Sequence, residues 1–164
     1  MPGPDDTGSG WRPGVRLCLD WGKARVGVAA CDPEGLLAYP VETIPNDAHV
    51  IERVAQLVDE HRPIELVLGL PTDLRGKVGP AARAMFEVAA TLVGKVPVPV
   101  RLVDERLTTA LAGRGLTAAG QSGRGRRAVI DQAAAVAILQ QALDMERRTG
   151  LPAGRLATSD KEET

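Results

Sequence analysis

Val15-Arg16-Leu17-Cys18-Leu19-Asp20-Trp21-Gly22-Lys23-Ala24-Arg25-Val26-Gly27-Val28-Ala29-Ala30 is the stretch on which the fold turns. Val15, Leu17 and Leu19 alternate with Arg16 and Cys18, the period of two expected of a half-buried strand. Gly22 and Lys23 mark a tight turn, and Val26, Val28 and Ala30 resume the alternation. Gly27, with no side chain inside the returning strand, marks close approach of another backbone or of a ligand. Asp20 is thereby presented at a strand end beside Lys23 and Arg25, where a carboxylate can hold a metal or cap the turn.

Outward from this hairpin, Asp32-Pro33-Glu34-Gly35 has the composition of a turn, and Leu36 to Ile44 read as a third strand. Val50, Ile51, Val54, Leu57 and Val58 recur at helical spacing within Ala48 to Glu60. Ile64 to Leu70 is an apolar run suited to a central strand covered on both faces. A loop from Pro71 to Gly79 leads into a helix that Pro80 can open and that runs to Val93. Val98 to Val103 form another buried strand, followed by a helix from Leu107 to Gly115 and a Gly/Arg-rich loop over Gly120 to Arg127. An alanine-rich helix spans Ala128 to Arg147. Three strands followed by alternating helices and strands predict an α/β fold with one mixed sheet.

At 164 residues the chain is the size of one domain, and 44% apolar residues are enough for a core. Residues 1–14, rich in Pro and Gly, are expected to be a flexible leader in which Trp11 either docks or stays loose. The folded domain is expected over 15–148, with a flexible polar tail over 149–164. Twenty basic residues face 21 acidic ones, so attraction to phosphate must come from local clustering of charge. Nothing in the sequence spans a membrane or resembles a signal peptide, and the expected location is cytoplasmic. Cys18 and Cys31 read as small buried hydrophobes; with the turn centred on Gly22 and Lys23, Cys18 faces a residue near Gly27 and no disulfide forms. His49 and His61 read as surface residues.

Three acidic positions fall at element ends: Asp20, the Asp104-Glu105 pair after the last strand, and Asp131 at the start of the final helix. Ligands of open α/β sheets gather at the carboxyl ends of strands. Carboxylates that converge there repel one another and require a cation, for which Mg²⁺ with its preference for oxygen ligands is suited. Singly, each acid has another use. Asp131 can favour its helix dipole, Glu105 can pair with Arg106, and Asp104 can cap the following helix. Lys23, Arg25, Arg75, Lys77, Arg106, Arg124, Arg126 and Arg127 cluster in the same loops and can contact phosphates. Aromatic residues make up only 2% of the chain, which disfavours stacking on single-stranded bases and favours structured nucleic acid read by shape.

The ordered set Leu19 to Ala29, Leu68-Gly69-Leu70-Pro71, Val103 to Thr109 and Ala128 to Ala135 resembles the YqgF/RuvX family, Holliday-junction-resolvase-like proteins also described as nucleases of pre-16S ribosomal RNA. The resemblance covers Val15 to Met145 and implies a ribonuclease H-like fold: a five-stranded mixed sheet, its second strand antiparallel to its neighbours, with helices on both faces. It further implies a nuclease dependent on Mg²⁺ or Mn²⁺ that acts on structured nucleic acid, either pre-16S rRNA at its 5′ end or a four-way DNA junction. Asp20, Glu105 and Asp131 would be its catalytic and metal-binding acids. Symmetric cutting of a junction would need a homodimer. Trp21, and the dilution of the basic loop by glycines, depart from the common pattern. Two other readings stand beside this one: an inactive nucleic-acid-binding module of the same fold, acting in transcription or ribosome maturation, and a sugar-kinase or actin-like ATPase. The latter closes two such domains around ATP, whereas this length supplies one.

Overall fold

The computed structural model describes residues 10–71, 79–104 and 123–159, with side chains described from residue 129 onward in the last segment. Strands β1 (Arg16–Trp21), β2 (Arg25–Cys31) and β3 (Ala38–Pro45) are followed by α1 (Val50–His61), β4 (Glu65–Leu70), α2 (Pro80–Val93), β5 (Val100–Asp104), α3 (Gly123–Thr149) and β6 (Arg155–Leu156). The strands form one sheet in the order β3-β2-β1-β4-β5-β6. β2 runs antiparallel to β1 and β3, whereas β1, β4 and β5 are mutually parallel. None of the helices among the described residues is long and apolar enough to cross a membrane.

Strand alternation divides the core into two layers. On one face Leu17, Leu19, Val26, Val28, Leu66, Leu68, Val100 and Leu102 pack with residues of α1 and α2. On the other, Cys18, Ala29, Cys31, Val67 and Val103 meet Ala135, Ile138, Leu139, Ala142 and Leu143 of α3. The first layer has the larger side chains, each worth about 1.5–3 kcal/mol when fully buried. In the second, β1 and β2 present small ones, Cys18, Ala29 and Cys31, which let α3 lie close against that part of the sheet.

Several boundaries differ from the sequence expectation. The sheet has six strands instead of five, and the additional one, β6, lies in the stretch assigned by composition to the tail. Its antiparallel pairing with β5 is continued by the Ala157 N–H, which donates to the Val100 carbonyl at 2.7 Å. β3 begins at Ala38, not Leu36, because the Asp32 carboxylate accepts hydrogen bonds from the Leu36 and Leu37 N–H groups and draws them out of the ladder. Cys18 pairs with Ala29 and Asp20 with Gly27, two residues from the expected register, because the turn is centred one residue later. A two-residue shift keeps every side chain on its face. Both cysteines are buried and neither is in a disulfide. α3 starts at Gly123 instead of Ala128: arginine is a good helix former and offsets the ~1 kcal/mol cost of each interior glycine. The helix expected over 107–115 lies outside the described residues.

A buried ion network closes the α3 layer at the start of β1. Glu146 accepts hydrogen bonds from Arg12 (Nε, 2.7 Å) and Arg16 (3.2 Å), while Glu65 accepts from Arg101 (3.0 Å) and Arg12 (3.2 Å). Arg12 thus joins the two carboxylates, and Trp11 beside it stacks 4.7 Å from the Arg16 guanidinium. Among the described residues no buried polar side-chain atom lacks a partner. Burial pushes the Glu146 carboxyl up, but the hydrogen bond from Arg12 and the charges of Arg12 and Arg16 outweigh it and hold the group below its ordinary 4.5. A depressed folded-state value contributes stability that is complete above the unfolded value and disappears as the pH falls through the folded one. Glu146→Gln is therefore expected to cost about 3 kcal/mol in urea unfolding at pH 7. The difference from wild type should shrink as the pH is lowered below 4.5. A pH-independent difference would contradict this account.

Candidate active site

The β1–β2 turn is held from both sides. Gly22 N–H donates to the Arg25 carbonyl at 2.8 Å, and Asn46, just past β3, donates from its backbone to the Ala24 carbonyl (3.0 Å) and from its side chain to the Gly22 carbonyl (2.7 Å). This anchors the end of β1, where Asp20 lies half-buried opposite Gly27. Asp20 continues the alternation of Arg16 and Cys18, the residues that face α3.

The position of α3 is set at Gly27. A Cβ at that residue would lie 2.0 Å from the Asp131 carbonyl oxygen and 3.0 Å from the Gln132 nitrogen. Helix backbone therefore rests on strand backbone, a contact that any side chain would block. Since neighbouring strands are about 4.8 Å apart, Asp131 is seated one strand away from Asp20. With α3 beginning at Gly123, Asp131 lies beyond its second turn and not at the helix start where the sequence reading put it, which removes the helix-dipole use. Two further contacts lock this part of α3: Arg25 Nε donates to Asp131 Oδ2 at 2.7 Å, and Gln132 Nε2 donates to Thr43 Oγ1 at 3.0 Å. The close approach read from Gly27 is a backbone contact, and the backbone belongs to the residue proposed on other grounds as an acid of the site.

Asp104 is separated from this corner. It ends β5 in register with Leu70, and alternation puts it with Val100 and Leu102 on the α1/α2 face, whereas Val103 faces α3. Lys23 is exposed in the hairpin turn. His49 is exposed, 3.8 Å from Glu52, as expected of a surface residue. Glu105, Arg75, Lys77 and Arg106 lie outside the described residues; Arg124, Arg126 and Arg127 fall in the first turns of α3, with their side chains outside the description. Among the described residues no group of three or more His, Cys, Asp or Glu side chains could hold a metal. Asp131 rests by its backbone on Gly27, the register partner of Asp20. The donor chemistry of these two acids is that of a hard cation: partly exposed carboxylates, with the nearest thiol on that face, Cys18, fully buried in the core. Gln132, Thr43 and Asn46 were not singled out from sequence. Arg25 was, as a phosphate contact, and its partner among the described residues is Asp131.

The family model described as RuvX, Holliday junction resolvase, matches residues 14–145. A Streptomyces coelicolor protein named "Putative pre-16S rRNA nuclease" is 55% identical over 148 residues, covering 87% of each chain. A Streptomyces avermitilis protein of the same name is 54% identical over 152 residues, covering 88% of this chain and 95% of that one. Among solved structures, T. thermophilus RuvC in complex with Holliday junction substrate aligns with a TM-score of 0.53 at 16% identity, covering 85% of this chain and 98% of that one. This last likeness shows the fold, which is ribonuclease H-like.

Gly27→Ala should destabilise the protein by about 3 kcal/mol, the upper end for overpacking, because its methyl group displaces helix backbone rather than a side chain. Chemical denaturation measures the cost; an unchanged midpoint would contradict the backbone contact.

Proposed function

The chain belongs to the RuvX Holliday junction resolvase family, and on that premise we propose that it is a divalent-metal-dependent nuclease that hydrolyses phosphodiester bonds in structured nucleic acid, with the 5′ end of pre-16S ribosomal RNA as its substrate. Placing the RNA ahead of a four-way DNA junction rests on relatives more than half identical over nearly their whole length, which are named for it. The observation that supports the chemistry best is the crossing at Gly27, which seats Asp131 beside Asp20.

Asp20, Asp131 and Glu105 are the residues that would hold Mg²⁺ or Mn²⁺. Glu105 enters this set from the sequence motif Val103-Asp104-Glu105-Arg106. When bound, such an ion lowers the pKa of a coordinated water and offsets charge on the phosphoryl oxygens. The carboxylates come from a strand and a helix locked together, so their oxygens are oriented before the substrate arrives. Lys23 at the hairpin tip, with Arg75, Lys77, Arg106, Arg124, Arg126 and Arg127, would hold backbone phosphates on either side of the scissile bond. Phosphate contacts fix register and orientation without reading bases, which suits a substrate recognised by shape. Such a protein would work in the cytoplasm on ribosomal precursors. A single site is sufficient for trimming one RNA end, whereas the junction would need a homodimer.

The test is cleavage by purified protein of a precursor RNA spanning the 5′ end of 16S rRNA, with a four-way DNA junction in parallel, each with Mn²⁺, Mg²⁺ or EDTA. Metal-dependent RNA cleavage is expected. Asp20→Asn and Asp131→Asn should slow it by about 10²–10³-fold, the scale of removing one charge-stabilising group, while circular dichroism stays native. Undiminished cleavage by Asp20→Asn would overturn the mechanism, and cleavage of the junction alone would overturn the substrate.

A further inference from the structure

Arg25 occupies an unusual place for a residue of a nucleic-acid-binding surface. Its Nε donates to Asp131 Oδ2 at 2.7 Å, with the two side chains 36% and 21% exposed. Both partners are fixed from outside the pair. The Arg25 carbonyl closes the hairpin by accepting from Gly22 N–H, and Arg25 is in register with Pro45 of β3. Asp131 rides on Gly27 through its backbone, and its neighbour Gln132 is tied to Thr43. Among the described residues Arg25 is the cation paired with Asp131, through Oδ2. A guanidinium thus already offsets the charge of a carboxylate that remains partly exposed.

We propose that Arg25 is a positioning residue and the resident counter-charge of the acidic site: it holds Asp131 in the ion-free protein and competes with the divalent ion for that carboxylate, thereby setting ion affinity. The inference rests on reading Asp131 as an ion-binding acid. Removing the guanidinium has two opposed effects. Asp131 loses a hydrogen bond that orients it, which weakens ion binding by the entropy of a short side chain whose backbone is already fixed. The site also loses a positive charge a few ångströms from a doubly charged ion, which strengthens binding. Coulomb energy scales with the product of the charges and remains substantial at the screening of a partly exposed site. The charge effect is the larger, so the arginine keeps affinity low and ion-free geometry intact.

The measurement is Mn²⁺ binding by isothermal titration calorimetry, without nucleic acid, for wild type, Arg25→Gln, Arg25→Lys and Asp131→Asn, each paired with a melting curve in EDTA and in saturating Mn²⁺. Arg25→Gln should bind Mn²⁺ about tenfold more tightly, equivalent to about 1.4 kcal/mol, and melt lower than wild type in EDTA, with the deficit recovered in Mn²⁺. Arg25→Lys, which keeps the charge, should stay within about twofold of wild-type affinity, well inside the factor of ten that 1.4 kcal/mol represents. Equal or weaker binding by Arg25→Gln, with Asp131→Asn defective, would overturn this inference alone; a purely structural Arg25 would give lower melting in both buffers with affinity unmoved. Wild type that binds no Mn²⁺, or Asp131→Asn that binds as wild type does, would overturn the reading of the site together with it.

Discussion

The contact between α3 and β2 at Gly27 constrains everything else at the functional end of the molecule. Helix backbone can approach strand backbone this closely only where the strand carries no Cβ, and the residue brought down is Asp131. Because Gly27 pairs with Asp20 across the β1–β2 hairpin, one missing side chain brings together acids over a hundred residues apart in sequence. The sheet fixes the backbone of one acid and the helix that of the other. Their separation is then a property of packed secondary structure and not of a loop.

The composition of the α3 layer follows from the same approach. Cys18, Ala29, Cys31, Ala135 and Ala142 line it, where bulkier side chains would hold the helix away from the sheet. At the start of β1, about 13 Å along the strand from Asp20 by strand rise, Arg12, Arg16 and Arg101 enclose Glu65 and Glu146. An ion network of this kind is a poor source of net stability but penalises any arrangement that leaves one charge unpaired. It fixes the angle of α3 from the end opposite Gly27, and it draws Trp11 and Arg12 onto the folded domain.

Much of this was legible in the sequence, because apolar alternation and helical periodicity report burial directly. The hairpin, α1, β4, α2 and β5 fall within a residue or two of their expected positions. Gly27 announced a close approach, though not of what. The buried ion network was not legible: Arg16 occupies a polar position of an alternating strand, which a period-of-two reading assigns to water, while Glu65 and Arg101 interrupt strands read as buried, with no partner evident until α3 arrives with Glu146. Arg16 and Glu65 are register neighbours on β1 and β4, so complementary charges at matching strand positions were the signal available. β6 was missed because two residues carry no periodicity; their pairing with Arg101 and Leu102 is a long-range event. The Arg25–Asp131 pair was hidden for the same reason, since each residue alone has the reading of a surface charge.

The account stands on the proximity of Asp20 and Asp131 and on a cation held between them. Its most direct test is a crystal structure of the protein soaked in Mn²⁺, with anomalous scattering used to locate the ion. An anomalous peak in contact with both carboxylates is the predicted result. A peak elsewhere on the surface, or Asp20 and Asp131 too far apart to share an ion, would contradict it.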